Sequence, residues 1–403
     1  MNKNVLIFSA VFPPEPIVSA SLSKDIASEL SKKNKVTVLC PNPTRPHGFM
    51  FENEIEEKDY KVVRLNSYTC SESKIIGRLR ESYSFGKHCF KYIDDNKDNI
   101  DVIYANTWPL FAQYFAVKAA KKYHIPITIH VQDVYPESLS NKLPVLNPLL
   151  NFFLLPIDKY VLGNATNVIA ISNKMKNYLA STRKINIDKI EVVQNWQDEE
   201  VFINYDLSVS QNQSAKNTPT FMYLGNIGPV AGIDFLIDAF IKADLKNGRL
   251  VIAGSGSKKK SLEDKVHLLG LNTIEFWPVP EGKVPEIQAQ ADIMLLPIKK
   301  GAASSSIPSK LPAYMFSKRP IIASVDLDSD TARVIKEADC GWVLSPEDIF
   351  SLSEMMQKVA FISKDELLKM GENGFSYAIE NLSKKNNLAK AVNCITETIV
   401  NEI

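Results

Sequence analysis

The pattern that decides the fold is clearest in residues 292–316, DIMLLPIKKGAASSSIPSKLPAYMF, which are followed by IIAS at residues 321–324. The apolar run 293–296 predicts a buried strand, the Gly, Ala and Ser residues after it predict a loop, and the apolar run after Lys310 predicts a helix. Residues 321–324 predict the next strand. A strand that returns through a helix to a neighbouring strand forms a parallel βαβ unit, so this stretch predicts a parallel sheet covered by helices.

The loop within this stretch has the composition of an anion site. Free backbone N–H groups and the positive end of the helix dipole attract a negative group at the start of a helix. The three consecutive serines add hydroxyl groups, and Lys310 adds a full positive charge at or near the helix start. The expected guest is a phosphate or a diphosphate. An ordinary solvated loop has the same composition, and the pattern alone leaves that alternative open.

Strand and helix patterns alternate in this way along the whole chain, in two blocks. The predicted strands of the first block are residues 5–8, 36–39, 61–65, 101–105, 127–131, 167–171 and 190–193. The predicted strands of the second block are residues 221–224, 249–253, 273–276, 293–296, 321–324 and 341–343. Such alternation is typical of α/β domains with a doubly wound parallel sheet.

The domain boundaries follow from a change in composition between these blocks. Residues 204–218 are polar and lack periodicity, so we interpret them as an interdomain linker or a surface excursion. We therefore predict two Rossmann-like domains, at residues 1–203 and 219–384. A predicted helix at residues 385–403 is expected to pack back on the first domain.

The composition excludes several classes of protein. A length of 403 residues favours two domains, and a net charge of +1 gives no general attraction to nucleic acid. The cysteines are scattered, as is typical of thiols in a reducing compartment: Cys40, Cys70, Cys89, Cys340 and Cys394. No uninterrupted apolar run approaches membrane-spanning length. We therefore expect a cytoplasmic protein.

Two further strand ends in the second block carry glycine. They are Gly225-Asn226-Ile227-Gly228 and Gly254-Ser255-Gly256. Glycine lets the backbone approach a ligand closely, and the N–H groups of such turns can hold a phosphate. The third glycine of a dinucleotide fingerprint is absent, and each turn alone is equally typical of a tight βα connection. Together with the serine loop, however, the two turns favour a nucleotide diphosphate in this half.

The strand ends of the first block carry proline and carboxylates, in residues 12–15 (FPPE) and 132–138 (QDVYPES). Asp133 or Glu137 could take up a proton or orient a sugar hydroxyl, although carboxylates on loops are usually solvated. His130 lies within an apolar strand, which predicts a packed histidine. No His, Asp and Glu spacing indicates a metal site.

Residues 75–93 predict an amphipathic helix rich in Arg, Lys and aromatic residues. Such a helix is typical of proteins that lie on an anionic bilayer. A helix that packs between domains and keeps a solvated cationic face has the same pattern. The two interpretations stay open at this point.

Taken together, these motifs resemble glycosyltransferase family 4 over nearly the whole chain. The residues that carry the resemblance are residues 12–14 (FPP), residues 133–138 (DVYPES), the two glycine turns and residues 308–310 (PSK). The last motif and Gly-Asn-x-Gly are most similar to the branch of L-fucosamine transferases of bacterial O-antigen and capsule assembly. The resemblance implies the GT-B fold, with two domains facing across a cleft. It also implies a retaining reaction on nucleotide sugars without a bound metal.

The resemblance implies roles for individual residues where the motifs correspond. The catalytic residues would be Asp133, beside the reacting sugar, and Lys310, on the leaving phosphates. The donor-binding residues would be Gly225, Asn226, Gly228, Gly254, Ser255, Gly256, Trp277, Val279, Ser304, Ser305, Ser306 and Ser309. The acceptor-binding residues would be Pro14, Glu15, Ser19, Ala20, Gln132 and Glu137. No metal ligand and no cofactor is implied beyond the UDP-sugar donor.

The chain also departs from the family pattern. Asn226 and Ala231 stand where the common branch has an Arg and a Lys, and Gln132 replaces the His of a His-Asp pair. Ser305 and Ala313 stand where relatives have two glutamates, the second of which grips the nucleotide ribose. With few cations left, Lys310 is expected to dominate stabilisation of the leaving group.

The function implied is transfer of a sugar, expected to be an N-acetylated deoxyhexosamine, from UDP. The expected acceptor is a polyprenyl-diphosphate-linked saccharide at the cytoplasmic face of the membrane, in O-antigen or capsule polysaccharide (lipopolysaccharide) biosynthesis. The protein would be peripheral on that membrane. The alternatives are a UDP-sugar 2-epimerase and a catalytically inactive nucleotide-binding or scaffold subunit of a polysaccharide complex.

Overall fold

The computed structural model describes residues 2–45, 59–70, 75–140, 147–205, 219–229, 231–300 and 307–397. The chain divides into two compact units, one of Met1–Gln194 with Asn387–Ile403 and one of Asn195–Asn386. Most of the predicted linker, residues 204–218, lies outside the described residues, as do Ser304, Ser305 and Ser306.

The described residues of the first unit form one sheet of seven strands, which are β1 (Asn4–Ser9), β2 (Lys35–Pro41), β3 (Lys61–Leu65), β4 (Val102–Asn106), β5 (Ile127–Val131), β6 (Asn167–Ala170) and β7 (Ile190–Val192). Their order across the sheet is β3-β2-β1-β4-β5-β6-β7. Every neighbouring pair is parallel. Chain order reverses between β1 and β4, which makes their carboxyl ends a topological switch point where ligands bind in such sheets.

Helices return the chain between these strands. They are Val18–Ser31, Ile75–Asn96, Phe111–Tyr123, Glu137–Ser140, Asn147–Asn164 and Asn173–Arg183, with short 3-10 turns at Lys97–Asn99 and Ile187–Lys189. The helix Lys384–Glu397 is the last of the described chain. In the first unit, its Asn387 Oδ1 accepts the backbone N–H of Gln194 at 3.1 Å, and the Asn167 side chain donates to the Cys394 carbonyl at 3.1 Å.

In the second unit, the part of the chain that the structure describes forms a sheet of six strands, which are β8 (Thr220–Leu224), β9 (Arg249–Ala253), β10 (Ile274–Trp277), β11 (Ile293–Pro297), β12 (Ile321–Ser324) and β13 (Gly341–Leu344). Their order across the sheet is β10-β9-β8-β11-β12-β13. Its helices are Glu200–Ile203, Ile233–Ala243, Lys259–Leu268, Val284–Gln288, Lys310–Phe316, Asp330–Glu337, Ile349–Val359 and Lys364–Asn381. Its switch point lies between β8 and β11.

Alternate residues of each strand point to opposite faces of the second sheet, and an apolar cluster covers each face. Phe221 and Tyr223 of β8 lie in one apolar cluster, while Met222 and Leu224 lie in the other. The central strands β8, from Phe221 onward, and β11 are therefore continuous apolar runs, as the sequence predicted. The predicted fold class, two doubly wound α/β domains, is confirmed.

Two helices of the second unit, Glu200–Ile203 and Asp330–Glu337, were not predicted from the sequence. Asp330–Glu337 begins after Ser329, whose Oγ accepts the backbone N–H of Ala332 at 3.2 Å. The Ser-Asp start was an available signal, because both residues favour the first turn of a helix. The helix is short, and its only large apolar residues are Val334 and Ile335.

Candidate active site

At the switch point of the second unit, one tyrosine bonds the end of β8 where β11 no longer pairs with it. Strands β8 and β11 pair only at Phe221 with Ile293 and at Met222 with Met294 among the described residues. Beyond that point the Tyr314 hydroxyl donates to the carbonyl of Leu224 at 2.9 Å and accepts its N–H at 3.0 Å. This fully buried side chain replaces the missing strand partner. It thereby fixes the helix Lys310–Phe316 against the end of β8.

This anchoring brings Lys310, the first residue of the helix, to the turn that follows β8. The Lys310 side chain lies so close to Gly225 that a Cβ there would overlap Lys310 Cε. Its Nζ lies 5.6 Å from the centre of the Tyr223 ring, and burial lowers the pKa of the Lys310 ammonium. The predicted catalytic lysine and the predicted donor turn are therefore in direct contact.

The two glycine turns of the second unit are also in contact. A Cβ on Gly254 would overlap the carbonyl oxygen of Gly225, and the φ of Gly254 is 139°, in the region that favours glycine. Between the turns, the N–H of Ile227 donates to the carbonyl of Ser255 at 2.8 Å. The exposed side chains of Asn226 and Ser255 border this contact. The two glycine-bearing strand ends that the sequence singled out, after β8 and after β9, thus form one cluster in space.

The remaining predicted donor residues lie around this cluster or outside the described chain. The carbonyl of Trp277 accepts the N–H of Gly254 at 3.0 Å, and Val279 packs against the neighbouring apolar core. Gly228 follows Asn226 in the first turn, and Gly256 adjoins Ile227 of that turn. Ser309 is exposed immediately before the helix that begins at Lys310.

Sequence reasoning missed a second lysine at the cluster. Lys259 begins the helix Lys259–Leu268, and its Nζ donates to the carbonyl of Gly254 at 3.2 Å. The signal was the run Lys258-Lys259-Lys260 after Gly-Ser-Gly-Ser. Cations are unfavourable at the positive end of a helix unless an anion is bound there. No acidic residue occupies the first turn of this helix.

The first unit has a cavity of about 340 Å³ at its own switch point. It is bounded by the ends of β1 and β4 and by the segment after β5. The lining residues that the sequence had singled out are Ser19, Gln132 and Asp133. Asp133 is exposed within this cavity, which agrees with a role on a bound substrate. The cavity also contains Arg45, Arg78, Thr107 and Trp108, which sequence reasoning did not place at a site.

Gln132 is connected to the sheet interior through His130. The Gln132 amide nitrogen lies 3.0 Å from His130 Nε2, and the Tyr104 hydroxyl lies 2.7 Å from His130 Nδ1. Complete burial lowers the pKa of His130 to about 3, so its imidazole is neutral near pH 7. The packed histidine expected from the sequence therefore also orients the residue that precedes Asp133.

Glu137 lies in an ion-pair cluster and does not line the cavity. Arg183 donates to both of its carboxylate oxygens at 2.6 Å, and Tyr178 donates to it at 2.8 Å. The same guanidinium donates to Asp158 at 2.7 Å and to the carbonyl of Tyr135 at 2.6 Å. These bonds hold the pKa of Glu137 below its usual value despite desolvation. The geometry makes Glu137 an anchor for the segment that carries Asp133.

Glu15 is likewise engaged with the backbone. Its buried carboxylate accepts N–H bonds from Thr44 at 3.0 Å, from Arg45 at 2.9 Å and from Phe12 at 3.3 Å. It thus ties the loop after β1 to the segment after β2. Pro14 is half-buried in that loop, and Ala20 is fully buried in the first turns of the helix Val18–Ser31.

No group of three or more His, Cys, Asp or Glu side chains within the described ranges has the arrangement of a metal site. Among the helices of those ranges, none combines the length and the apolar character that crossing a bilayer requires.

Two doubly wound domains, with small-residue strand ends and a lysine at the switch point of the second, define the GT-B class. Residues 21–201 match the model of Glycosyltransferase Family 4, and residues 205–377 match that of Glycosyl transferases group 1. The first match covers most of the first unit, and the second match covers most of the second unit. The chain belongs to the family 4 glycosyltransferases, and its fold is GT-B.

The curated relatives agree with this placement. The probable glycosyltransferase WbjE of Pseudomonas aeruginosa is 24% identical over 275 residues, which is 66% of each chain. WcaI of Escherichia coli (strain K12), whose name assigns it to colanic acid biosynthesis as a glycosyl transferase, is 24% identical over 244 residues, or 58% of each chain. These matches thus span less than two thirds of the relatives' lengths. Among solved structures, HepE of Anabaena in complex with UDP has a TM-score of 0.70 at 16% identity, over 100% of both chains.

Proposed function

We propose that this protein is a retaining glycosyltransferase that moves a sugar from a UDP-sugar to a lipid-linked saccharide during bacterial surface polysaccharide biosynthesis. The family membership and the relative named for colanic acid biosynthesis support the general class. The similar fold of HepE, which was solved with UDP, supports the choice of nucleotide. The resemblance to L-fucosamine transferases supports an N-acetylated deoxyhexosamine as the sugar.

The observation that carries this proposal is the contact between Lys310 and Gly225. It places a half-buried ammonium beside two glycine turns at the switch point of a parallel sheet. Backbone N–H groups of such turns can hold a diphosphate, and a nearby cation stabilises the charge that develops as the diphosphate leaves. A preorganised cation of this kind needs no metal to act on the leaving group.

On the acceptor side, Asp133 would orient or deprotonate the attacking hydroxyl from the cavity of the first unit. No side chain in the described ranges was assigned as a nucleophile, so front-face attack within an ion pair is the proposed route to retention. The acceptor is proposed to carry a polyprenyl diphosphate, with the enzyme bound to the cytoplasmic surface of the membrane.

A screen of UDP-sugars tests the proposal, with binding followed by calorimetry and turnover by UDP release in the presence of polyprenyl-diphosphate saccharides. At least one UDP-N-acetyl-deoxyhexosamine should bind and turn over. Lys310→Ala should lower turnover by about 100-fold or more while the fold is retained. Lys318→Ala is the matched control, because Lys318 forms an exposed pair with Glu372. Normal turnover in Lys310→Ala would remove the proposed role, and absence of any UDP-sugar binding would remove the donor assignment.

A second function is favoured by one observation. Ala313, which stands where relatives have the glutamate that grips the ribose, is buried within the helix Lys310–Phe316 and offers no carboxylate. A scaffold subunit of a polysaccharide complex, which does not need to bind the ribose, would tolerate this loss. Absence of UDP-sugar binding across the same panel would establish that function in place of transfer.

A further inference from the structure

The cavity of the first unit contains a cationic group that the proposed reaction does not yet use. Arg45 and Arg78 line it, and both donate to one oxygen of Glu81, at 2.6 and 2.9 Å. Glu81 has no exposed surface, and its other oxygen accepts the N–H of Cys70 at 2.7 Å. Among the described residues, two guanidinium groups thus share one carboxylate beside the cavity.

Two buried polar atoms at the same cavity have no hydrogen-bond partner among the residues that the structure describes. One is Nε of Arg45, and the other is Oγ1 of Thr107, a residue that is 8% exposed. Buried donors of this kind are costly unless something accepts from them. Arg45 is also fixed in orientation, because its guanidinium stacks 5.1 Å from the centre of the Trp108 ring. Arg45 and Thr107 therefore keep hydrogen-bonding capacity beside the cavity that the described residues do not use.

A helix start adds to this site. The helix Val18–Ser31 begins beside the cavity, with Ile17 and Ser19 in the lining. Ile17 provides no side-chain cap, and the first turn contains no acidic residue. The positive end of this 14-residue helix therefore also favours a negative group in the cavity. Asp133, exposed in the same cavity, is the carboxylate that a bound anion would have to avoid.

We propose that the acceptor of this enzyme is anionic near its reacting hydroxyl, and that Arg45, Arg78 and Thr107 bind that anion. This inference rests on the proposed function. Because the arginines and Asp133 line one cavity, the negative group lies within about one sugar of the attacked hydroxyl. The anion is either the diphosphate of a lipid-linked acceptor with a short saccharide or the carboxylate of an acidic sugar. Both give the oxygen acceptors that guanidinium groups pair with.

Calorimetry on the full-length chain, with the donor site first saturated with UDP, tests the site. The probes are inorganic pyrophosphate and glucuronate. At least one should bind the wild-type chain, and Arg45→Gln should weaken that binding by about tenfold or more. Thr107→Val should weaken it as well, without leaving a buried charge unpaired. The matched control is Lys118→Gln, which removes an exposed cation of the same unit and should leave binding unchanged.

Glu81→Gln gives a prediction of opposite sign. If Arg45 and Arg78 bind an anion, removing the carboxylate that they share should tighten binding. If they served only to hold the fold, the variant would bind no better. Preference for pyrophosphate identifies the diphosphate as the source, and preference for glucuronate identifies the acidic sugar. Absence of binding by both probes, or equal affinity in all four variants, would overturn the proposal. UDP binding, measured separately, reports on the donor assignment alone.

Discussion

The side chain of Lys310 occupies the space that a Cβ on Gly225 would fill. The two residues are 85 positions apart in the sequence, and the contact depends on Tyr314, which bonds both the N–H and the carbonyl of Leu224. The absence of a side chain at Gly225 therefore matters mainly because it leaves space for the Lys310 side chain beside the turn. The functional unit is the pair, and each residue depends on the other.

Gly225→Ala should consequently reduce turnover although it removes no functional group. The new methyl would displace Lys310, and the φ of 158° at this position is poorly suited to alanine. We expect a loss of about 100-fold in kcat, comparable with removal of one stabilising donor. Gly163→Ala is the matched control, because nothing lies within 4 Å of a Cβ there. Steady-state UDP release measures both. Wild-type kcat in Gly225→Ala would contradict the contact.

The strands and turns of this site were predicted from the sequence, but the contacts between them were not. The strand ends at Leu224, Ala253 and Pro297 followed from apolar runs bounded by glycine or proline, since such patterns depend only on neighbouring residues. The bond from Tyr314 to β8 could not be predicted, because a tyrosine within an apolar helix is equally consistent with simple packing. The roles of Glu15 and Glu137 had the same difficulty. Their partners, Thr44 and Arg183, are distant in sequence and carry no local signal.

Several residues that line the cavity of the first unit were not predicted to belong to a site, for a related reason. The segment after β4, Thr107-Trp108-Pro109, lacks glycine and was not recognised as a ligand-bearing strand end. Arg78 was assigned to a solvated or membrane-facing helix surface, whereas it lies half-buried against Glu81. A helix pattern shows which residues share a face, but not which arginine of that face meets a buried carboxylate.

Asp133→Asn should lower turnover much more than donor affinity. Amidation keeps the size of the side chain but removes the negative charge that would orient or deprotonate the acceptor hydroxyl. General-base contributions are about 10²- to 10⁴-fold, and kcat should fall within that range. The Kd for the UDP-sugar, from calorimetry, should stay unchanged. Asp95→Asn, at an exposed position of the same unit, controls for loss of one negative charge. An unchanged kcat would exclude Asp133 from the reaction.

Arg183→Ala should destabilise the first unit, because it leaves Asp158 buried without its cation. Arg183 bonds Asp158, Glu137 and the carbonyl of Tyr135, and its guanidinium is fully enclosed. Breaking a buried pair in this way costs roughly 3–5 kcal/mol of unfolding free energy. Lys122→Ala, which removes an exposed pair with Asp94 in the same unit, should cost less than about 1 kcal/mol. Urea unfolding followed by fluorescence measures both. Equal losses would show that the cluster around Arg183 is not structural.

Membrane attachment should depend on the exposed face of the helix Ile75–Asn96. Arg80, Lys87 and Lys91 lie on that face with Ile76, whose side chain is 82% exposed, and with Tyr83. Flotation with anionic liposomes should show binding that declines with added salt, because exposed charges are screened. Charge reversal of the three cations to Glu should abolish it. The same change at Lys32, Lys33 and Lys35, also exposed in this unit, should have little effect. Absence of binding at low salt would remove the membrane proposal.

The buried His130 should make the first unit sensitive to acid. Burial lowers its pKa from 6.5 to about 3, so between these values the unfolded chain binds a proton that the folded chain does not. Its contribution to stability is therefore complete above pH 6.5 and is lost progressively as the pH falls toward 3. From pH 7 to pH 5 the loss from this group is about 2 kcal/mol. His130→Gln should flatten this part of the pH profile of urea unfolding, even if it lowers stability at pH 7. His124→Asn, at an exposed helix end, should leave the slope unchanged. Parallel profiles for wild type and His130→Gln would mean that the folded protein protonates His130 without penalty.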